Sequence, residues 1–156
     1  DEVAWLVGID SYKIYPWRGD YFRVNLPYSV KKLVYPVIRP QKSHGLGVHL
    51  TRDGQGRYMA GPDVQLAASK EDFSSGEYKK DKFYEALRFM FHDIRKGDLS
   101  YEMCGIRPKL RAPNETQEKD FVIAQDLPGF INLVGIESPG LTSALAIAQK
   151  VKIILK

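Results

Sequence analysis

The stretch that most constrains the fold is Phe130–Val151. Phe130-Ile-Asn-Leu-Val134 is an apolar run of strand length. Gly135-Ile-Glu-Ser-Pro-Gly-Leu-Thr142 reads as a turn, and Ser143-Ala-Leu-Ala-Ile-Ala-Gln-Lys-Val151 as an Ala-rich helix. Strand, glycine turn and helix N-terminus in that order can be an ordinary corner. They can also cradle an anionic or electron-rich ligand. The glycines let backbone N–H groups come close, and the helix dipole points its positive end outward. The pattern alone leaves both readings open.

Upstream, the hydrophobic period is that of strands. Asp1–Val7 has the spacing of a helix end, stopped at Gly8. Tyr21-Phe-Arg-Val24, Lys32-Leu-Val-Tyr-Pro-Val-Ile38 and Gly47-Val-His-Leu-Thr51 are β-rich, with Pro36 marking an edge or a bulge. Asp53-Gly-Gln-Gly56 turns the chain into a return strand, Arg57–Ala60, ending at Gly61-Pro62. Residues 63–78 are polar and predict a surface loop. From Lys79 to Lys96, Phe83, Leu87, Met90, Phe91 and Ile94 recur at helical spacing, with Arg95 and Lys96 in the last turn and Gly97 as the stop. Leu99–Ile106 is a further strand running into Arg107-Pro108. Residues 111–119 read as an exposed loop, Phe121–Ala124 as a short strand, and Leu127-Pro-Gly129 as a turn. This order predicts an α+β fold. A mostly antiparallel sheet is built by local hairpins, with a helix laid on one face.

A chain of 156 residues is long enough for a real core. Its net charge of +4 is dispersed, and Lys31-Lys32 and Lys79-Lys80 are too short for a nucleic-acid-binding stripe. One cysteine, Cys104, excludes an internal disulfide and a multi-thiolate metal site. His44, His49 and His92 lack zinc spacing, so no metal is expected. No apolar run reaches about 18 residues, so no spanning helix is expected. A cytoplasmic protein is expected, with peripheral membrane attachment as the variant. Gly45-Leu-Gly47 and Gly54-Gln-Gly56 precede no helical pattern and read as turn glycines rather than phosphate loops. The chain opens at Asp1 without Met, which suggests a segment upstream.

Four side chains stand out. Arg107 lies between Gly105-Ile106 and Pro108, which holds it extended; a guanidinium so held can grip a carboxylate with two hydrogen bonds, or simply stand at the surface. His49 shares a strand face with Gly47 and Thr51, opposite Val48 and Leu50. It suits a general base or a hydrogen-bonded structural imidazole. Tyr21 and Tyr101 suit the lining of a site or sheet packing. Arg18-Gly19-Asp20 as an adhesion signal is rejected, because its flanks read as core strand.

In order along the chain stand Tyr15-Pro-Trp-Arg-Gly-Asp-Tyr21, Leu33-Val-Tyr-Pro-Val37, Leu46-Gly-Val-His-Leu-Thr51, Gly61-Pro62, Gly105-Ile-Arg-Pro108, Asp120-Phe-Val-Ile123 and Asn132-Leu-Val-Gly-Ile-Glu-Ser-Pro-Gly-Leu-Thr142. Together they resemble the C-terminal part of FAD-dependent oxidoreductases of the D-amino-acid-oxidase superfamily, nearest the L-2-hydroxyglutarate dehydrogenase/oxidase branch. The resemblance implies a large mixed, mostly antiparallel sheet covered by helices on one face, plus a C-terminal strand and helix of a Rossmann-type FAD domain. It implies FAD-domain segments at 1–15 and 129–156, a substrate domain at 16–128, and an FAD-binding half upstream of Asp1. The FAD site of this chain alone is then incomplete and the fragment alone inactive. Arg107 matches the family arginine for a substrate carboxylate; Tyr21 and Tyr101 are taken as substrate-binding on their side-chain chemistry alone. His49 matches the histidine of the hydroxy-acid branch, for which a base role is inferred. Gly135, Ile136, Glu137, Ser138, Gly140, Leu141 and Thr142 match the segment at the flavin. The activity implied is oxidation of a small 2-hydroxy acid by hydride transfer to flavin. Oxidation of glycine, sarcosine or another amine is the alternative, and a non-catalytic binding domain that kept the scaffold is a third. The electron acceptor and the oligomeric state have no signature in the sequence.

Overall fold

The computed structural model describes residues 1–37 and 47–156. Ile38, His44, and the Gly45 and Leu46 of the turn reading lie outside the described residues. The chain divides into two compact units, Arg18–Ile106 and a second made of Asp1–Trp17 with Arg107–Lys156.

The first unit is built on a five-stranded sheet. Strand β1 (Tyr15–Val24) enters it, followed by β2 (His49–Arg52), β3 (Tyr58–Gly61) and β4 (Gln65–Leu66), and β5 (Leu99–Lys109) leaves it. The order is β2-β3-β1-β4, with β5 also paired to β1. The hairpin β2–β3 forms as expected: Leu50 faces Ala60, Thr51 faces Met59, and Gly56 takes the positive φ of +79° that closes the turn. The antiparallel pair β1–β3 sets Phe22 opposite Ala60. Helix α2 (Lys80–Arg88) lies on this sheet and buries Phe83 and Leu87. Phe22, Val24, Val48, Leu50, Ala60, Phe83, Leu87, Phe91, Ile94 and Leu99 form one core, and the Phe22 and Phe83 rings lie 4.6 Å apart.

Three local expectations are corrected. The Lys32–Val37 run is no strand. It makes one bridge, between Val34 and Leu50, after which Pro36 has no N–H to pair and Val37 stands bare. The helix expected to Lys96 ends at Arg88. Past it the backbone closes tighter turns, Met90 N–H to the Leu87 carbonyl at 2.9 Å and Ile94 N–H to the Phe91 carbonyl at 3.3 Å, and the Asp98 carboxylate accepts the Arg95 N–H at 2.8 Å to cap a separate short turn. Phe91 and Ile94 still reach the core, but from turns. Residues 63–78 are not merely a surface loop, because Asp63, Ala67 and Gly76 are buried there.

In the second unit, helix α1 (Glu2–Trp5) is capped by the Asp1 side chain, and Gly8 turns the chain with φ +80°. Strands β6 (Val122–Leu127) and β7 (Phe130–Val134) form an antiparallel hairpin through Gly129, φ +75°. Helix α3 (Ala144–Ile154) ends the chain. The architecture is mixed, with antiparallel sheets and few helices. Among the described residues, no helix is long and apolar enough to cross a membrane, and no three His, Cys, Asp or Glu side chains gather as metal ligands.

Candidate functional site

The β7–α3 turn is shaped by its glycines. Gly135 has φ +69°, and a Cβ there would stand 2.6 Å from the Leu110 side chain. A Cβ on Gly140 would stand 2.6 Å from both the Glu137 carbonyl oxygen and Ile136. The turn closes on itself through Glu137 N–H to the Gly135 carbonyl (2.9 Å) and Ser143 N–H to the Pro139 carbonyl (3.0 Å). The Ser143 hydroxyl donates to that same carbonyl rather than capping the helix. Leu141 and Leu145, on the turn and in the first helical turn, are 94% and 85% exposed, and α3 buries no residue. One face of α3, with Ile147, Val151 and Ile154 half-buried, packs toward β6, while its other apolar residues stand exposed and its positive end lies at a glycine turn.

Beside this turn lies a cavity of about 630 Å³ whose charged lining is Arg107, Lys109 and Lys119 with Glu118, Asp120 and Glu137, and to which Ser138 and Ser143 add hydroxyls. Arg107 and Lys109 sit two apart on β5, so both side chains point to one face. Arg107 Nη1 is 3.8 Å from Glu137 Oε2, and Lys109 Nζ is 3.3 Å from Glu137 Oε1 and 3.7 Å from Glu118. Those lengths exceed the usual 2.7–3.2 Å of a hydrogen bond, roughly speaking, so both cations are held loosely. Of the residues expected at a site, the fold brings together here Arg107, Glu137 and Ser138, while Gly135, Ile136, Gly140, Leu141 and Thr142 make the adjoining turn. Lys109 was missed. Its signal was the i, i+2 alternation from Arg107.

His49, Tyr21 and Tyr101 lie in the other unit. As expected, Val48 and Leu50 enter the core while His49 faces away from it, and the His49 ring stacks on Tyr35 at 4.3 Å. Its Nδ1 is 3.0 Å from the Gly47 carbonyl oxygen. A carbonyl only accepts, so Nδ1 carries the proton and Nε2 the lone pair of the neutral ring. Tyr21 packs on Gly61, where a Cβ would come within 2.8 Å of the ring. The Tyr101 hydroxyl donates to Asp20 at 3.2 Å, and burial, with Cys104 beside it, pushes the phenol up to about 12.

Tyr101 thereby joins a buried charge network that the sequence reading passed over. Arg18 and Asp20 alternate onto one face of β1, each at most 1% exposed. Arg18 donates from Nη2 and Nε to the Asp20 carboxylate at 2.7 and 3.1 Å, and from Nη1 to Asp72 and Ser74 at 3.1 Å. Lys79 donates to Asp20 and pairs with Asp63 at 3.1 Å, and Lys82 pairs with Asp63 at 2.8 Å. Desolvation alone would raise the Asp20 carboxyl, but Arg18 and Lys79 outweigh it and hold it below the usual range.

Several known proteins are similar to this chain. A mitochondrial L-2-hydroxyglutarate dehydrogenase of Arabidopsis thaliana is 40% identical over 151 residues, 86% of this chain and 30% of that protein. A glycerol 3-phosphate dehydrogenase of Caloramator mitchellensis is 31% identical over 159 residues, 100% of this chain and 32% of that protein. Among solved structures, dithionite-reduced L-α-glycerophosphate oxidase of Mycoplasma pneumoniae with FAD bound matches with a TM-score of 0.79 at 26% identity, over 99% of this chain and 40% of that one. The chain therefore spans less than half the length of each.

The β7–α3 turn fits FAD in kind. Bare Leu141 and Leu145 offer apolar surface to a planar ring, and the α3 N-terminus favours negative charge beside it. A family model described as FAD dependent oxidoreductase matches residues 3–152, and the chain belongs to that family.

Proposed function

We propose that this chain is the C-terminal part of a longer flavoenzyme that oxidises a small 2-hydroxy acid of the L-2-hydroxyglutarate kind to the 2-oxo acid. The observation that carries the reading is Arg107. It is a loosely paired guanidinium at a cavity beside the glycine turn before α3, in a chain whose relatives include several proteins named L-2-hydroxyglutarate dehydrogenase. Residues 16–128 make the substrate domain, and 1–15 and 129–156 belong to the Rossmann-type FAD domain, whose first half lies upstream. That Asp1–Trp17 falls in one compact unit with the C-terminal segment supports the first boundary, although that unit takes in the chain from Arg107 rather than from 129.

FAD, when bound, supplies the two-electron acceptor that takes hydride from the carbinol carbon. Arg107 binds the substrate carboxylate through parallel charge-assisted hydrogen bonds and orients that carbon. His49 takes the hydroxyl proton at Nε2, the nitrogen that its Nδ1–H contact with Gly47 leaves basic. Tyr21 shapes the substrate side, whereas Tyr101, whose hydroxyl is given to Asp20, belongs to the buried network. Gly135–Ser138 and Gly140–Thr142, at the positive end of α3, hold the cofactor edge on which negative charge builds.

The test is anaerobic bleaching of the flavin near ~450 nm in the full-length enzyme, its cofactor's own redox signal. 2-Hydroxy acids, glycerol 3-phosphate, glycine and sarcosine are offered in turn. The reading requires fastest bleaching by a 2-hydroxy acid. It also requires Arg107→Ala to lower kcat/KM by roughly 10- to 100-fold, the weight of charge-assisted hydrogen bonds. Glycerol 3-phosphate is included because two relatives are named for it. Bleaching by that compound or by an amine alone would overturn the assignment.

A further inference from the structure

We propose that Lys109 is a specificity-determining residue, which with Arg107 makes a two-cation edge that selects a substrate bearing two carboxylates. The inference rests on the 2-hydroxy-acid reading above.

The geometry is that of one strand face. Residues two apart on β5 lie about 6.6–6.8 Å from each other along the strand. The carboxyl carbons of an extended five-carbon diacid lie about 5 Å apart, from four C–C bonds of about 1.5 Å each. The long side chains of Arg107 and Lys109 cover the difference. Pro108 between them is exposed and carries no charge.

The electrostatics point the same way. Lys109 is a buried ammonium, its side chain 9% exposed, and a buried charge needs a counter-charge. Glu137 and Glu118 supply it only at 3.3 and 3.7 Å, and Glu137 is shared with Arg107 at 3.8 Å. Two adjacent cations already hold one internal carboxylate between them, so carboxylates fit this edge. An ammonium has three donors, a guanidinium five, and contacts of this length leave room for closer acceptors. All of these groups line the same cavity, which is open to a small molecule. A monocarboxylate needs Arg107 alone. A diacid satisfies both cations, and a site built for a polar group discriminates against the analogue that lacks it.

The experiment compares wild-type full-length holoenzyme with Lys109→Met, which keeps the length and removes the charge. It reads kcat/KM for L-2-hydroxyglutarate and 2-hydroxypentanoate. Dissociation constants for the unreactive glutarate and pentanoate are read from the flavin absorbance. Lys109→Met should weaken both diacids by roughly 10- to 100-fold, the weight of a hydrogen bond to a charged group, and leave both monoacids within about twofold. Lys109→Arg should keep most of the preference. Equal losses for diacids and monoacids, or no loss for either, would overturn the proposal. If Lys109→Met does not fold, the wild-type ratio decides, and equal affinity for glutarate and pentanoate overturns it. Failure of the underlying reading shows separately, as a wild-type enzyme that oxidises neither hydroxy acid, and the proposal then falls with it.

Discussion

Two strands of this molecule carry charged residues two apart, and they use them in opposite ways. On β1, Arg18 and Asp20 are of opposite sign and at most 1% exposed, joined by hydrogen bonds of 2.7–3.2 Å. Asp63, Asp72, Ser74, Lys79 and Tyr101 complete the shell. On β5, Arg107 and Lys109 are of the same sign, and their acids stand 3.3–3.8 Å away at the wall of a cavity. The same alternation builds a closed network in one place and an open one in the other. A closed network has spent its donors on the protein and can only hold it together. An open one keeps donors for something that arrives.

The comparison breaks most readily at Asp20. Removing one partner of a buried ion pair strands the other, and that costs about 3–5 kcal/mol. Asp20→Ala leaves both Arg18 and Lys79 without their shared acceptor. Thermal or urea unfolding of this chain should show a loss of that size. A loss below about 1 kcal/mol, the usual worth of a surface pair, would mean that the network is not the closed structure drawn here.

Gly76 gives the next effect. A Cβ there would run into the Asp20 carboxylate and come within 2.8 Å of the Tyr101 ring. Gly76→Ala should cost about 1–3 kcal/mol, as overpacking does. Unfolding curves check it. A neutral variant would show that the 63–79 segment moves freely over β1.

What could be read from the sequence follows the range of the interactions. The Asp53–Gly56 turn, the β2–β3 hairpin and the Gly135–Thr142 turn before α3 are set by neighbours in the chain, so local chemistry found them. The core positions Phe91 and Ile94 are legible as well, but not that they sit on turns past Arg88, because periodicity records which face is buried and not whether the backbone bonds run i→i+4 or i→i+3. The buried network was invisible for another reason. Asp63, Asp72 and Ser74 look like a solvated loop, and Lys79 like the solvated start of a helix, until Arg18 and Asp20 are known to lie beneath them. Of the candidate site, Arg107 was legible from Gly105-Ile-Arg-Pro108, whereas Lys109 became visible only when burial showed an ammonium turned inward.

Acid separates the two regions without mutation. The Asp20 carboxyl sits below its ordinary value in the fold, because Arg18 and Lys79 favour its charged form over the pull of burial. A depressed folded-state value contributes stability above the unfolded value of about 3.9 and loses it as pH falls through the folded one. The stability gap between wild type and Asp20→Asn should therefore be constant from neutral pH down to about 5 and narrow below about 4. Unfolding curves taken from pH 7 to 3 measure it. A gap that stays constant to pH 3 would mean that the charge on Asp20 is not what the network stabilises.

The smallest effect is the most telling for the open region. Arg107 is 42% exposed on its side chain, and its contact with Glu137, at 3.8 Å, is too long for a hydrogen bond. Ion pairs of that kind contribute about 0–1 kcal/mol. Arg107→Met should therefore leave the unfolding midpoint of this chain nearly unchanged, within about 1 kcal/mol, while Asp20→Ala shifts it strongly. If Arg107→Met destabilised the chain as much as Asp20→Ala, the β5 cations would be structural, as those of β1 are. The cavity beside them would then need no carboxylate to account for its charges.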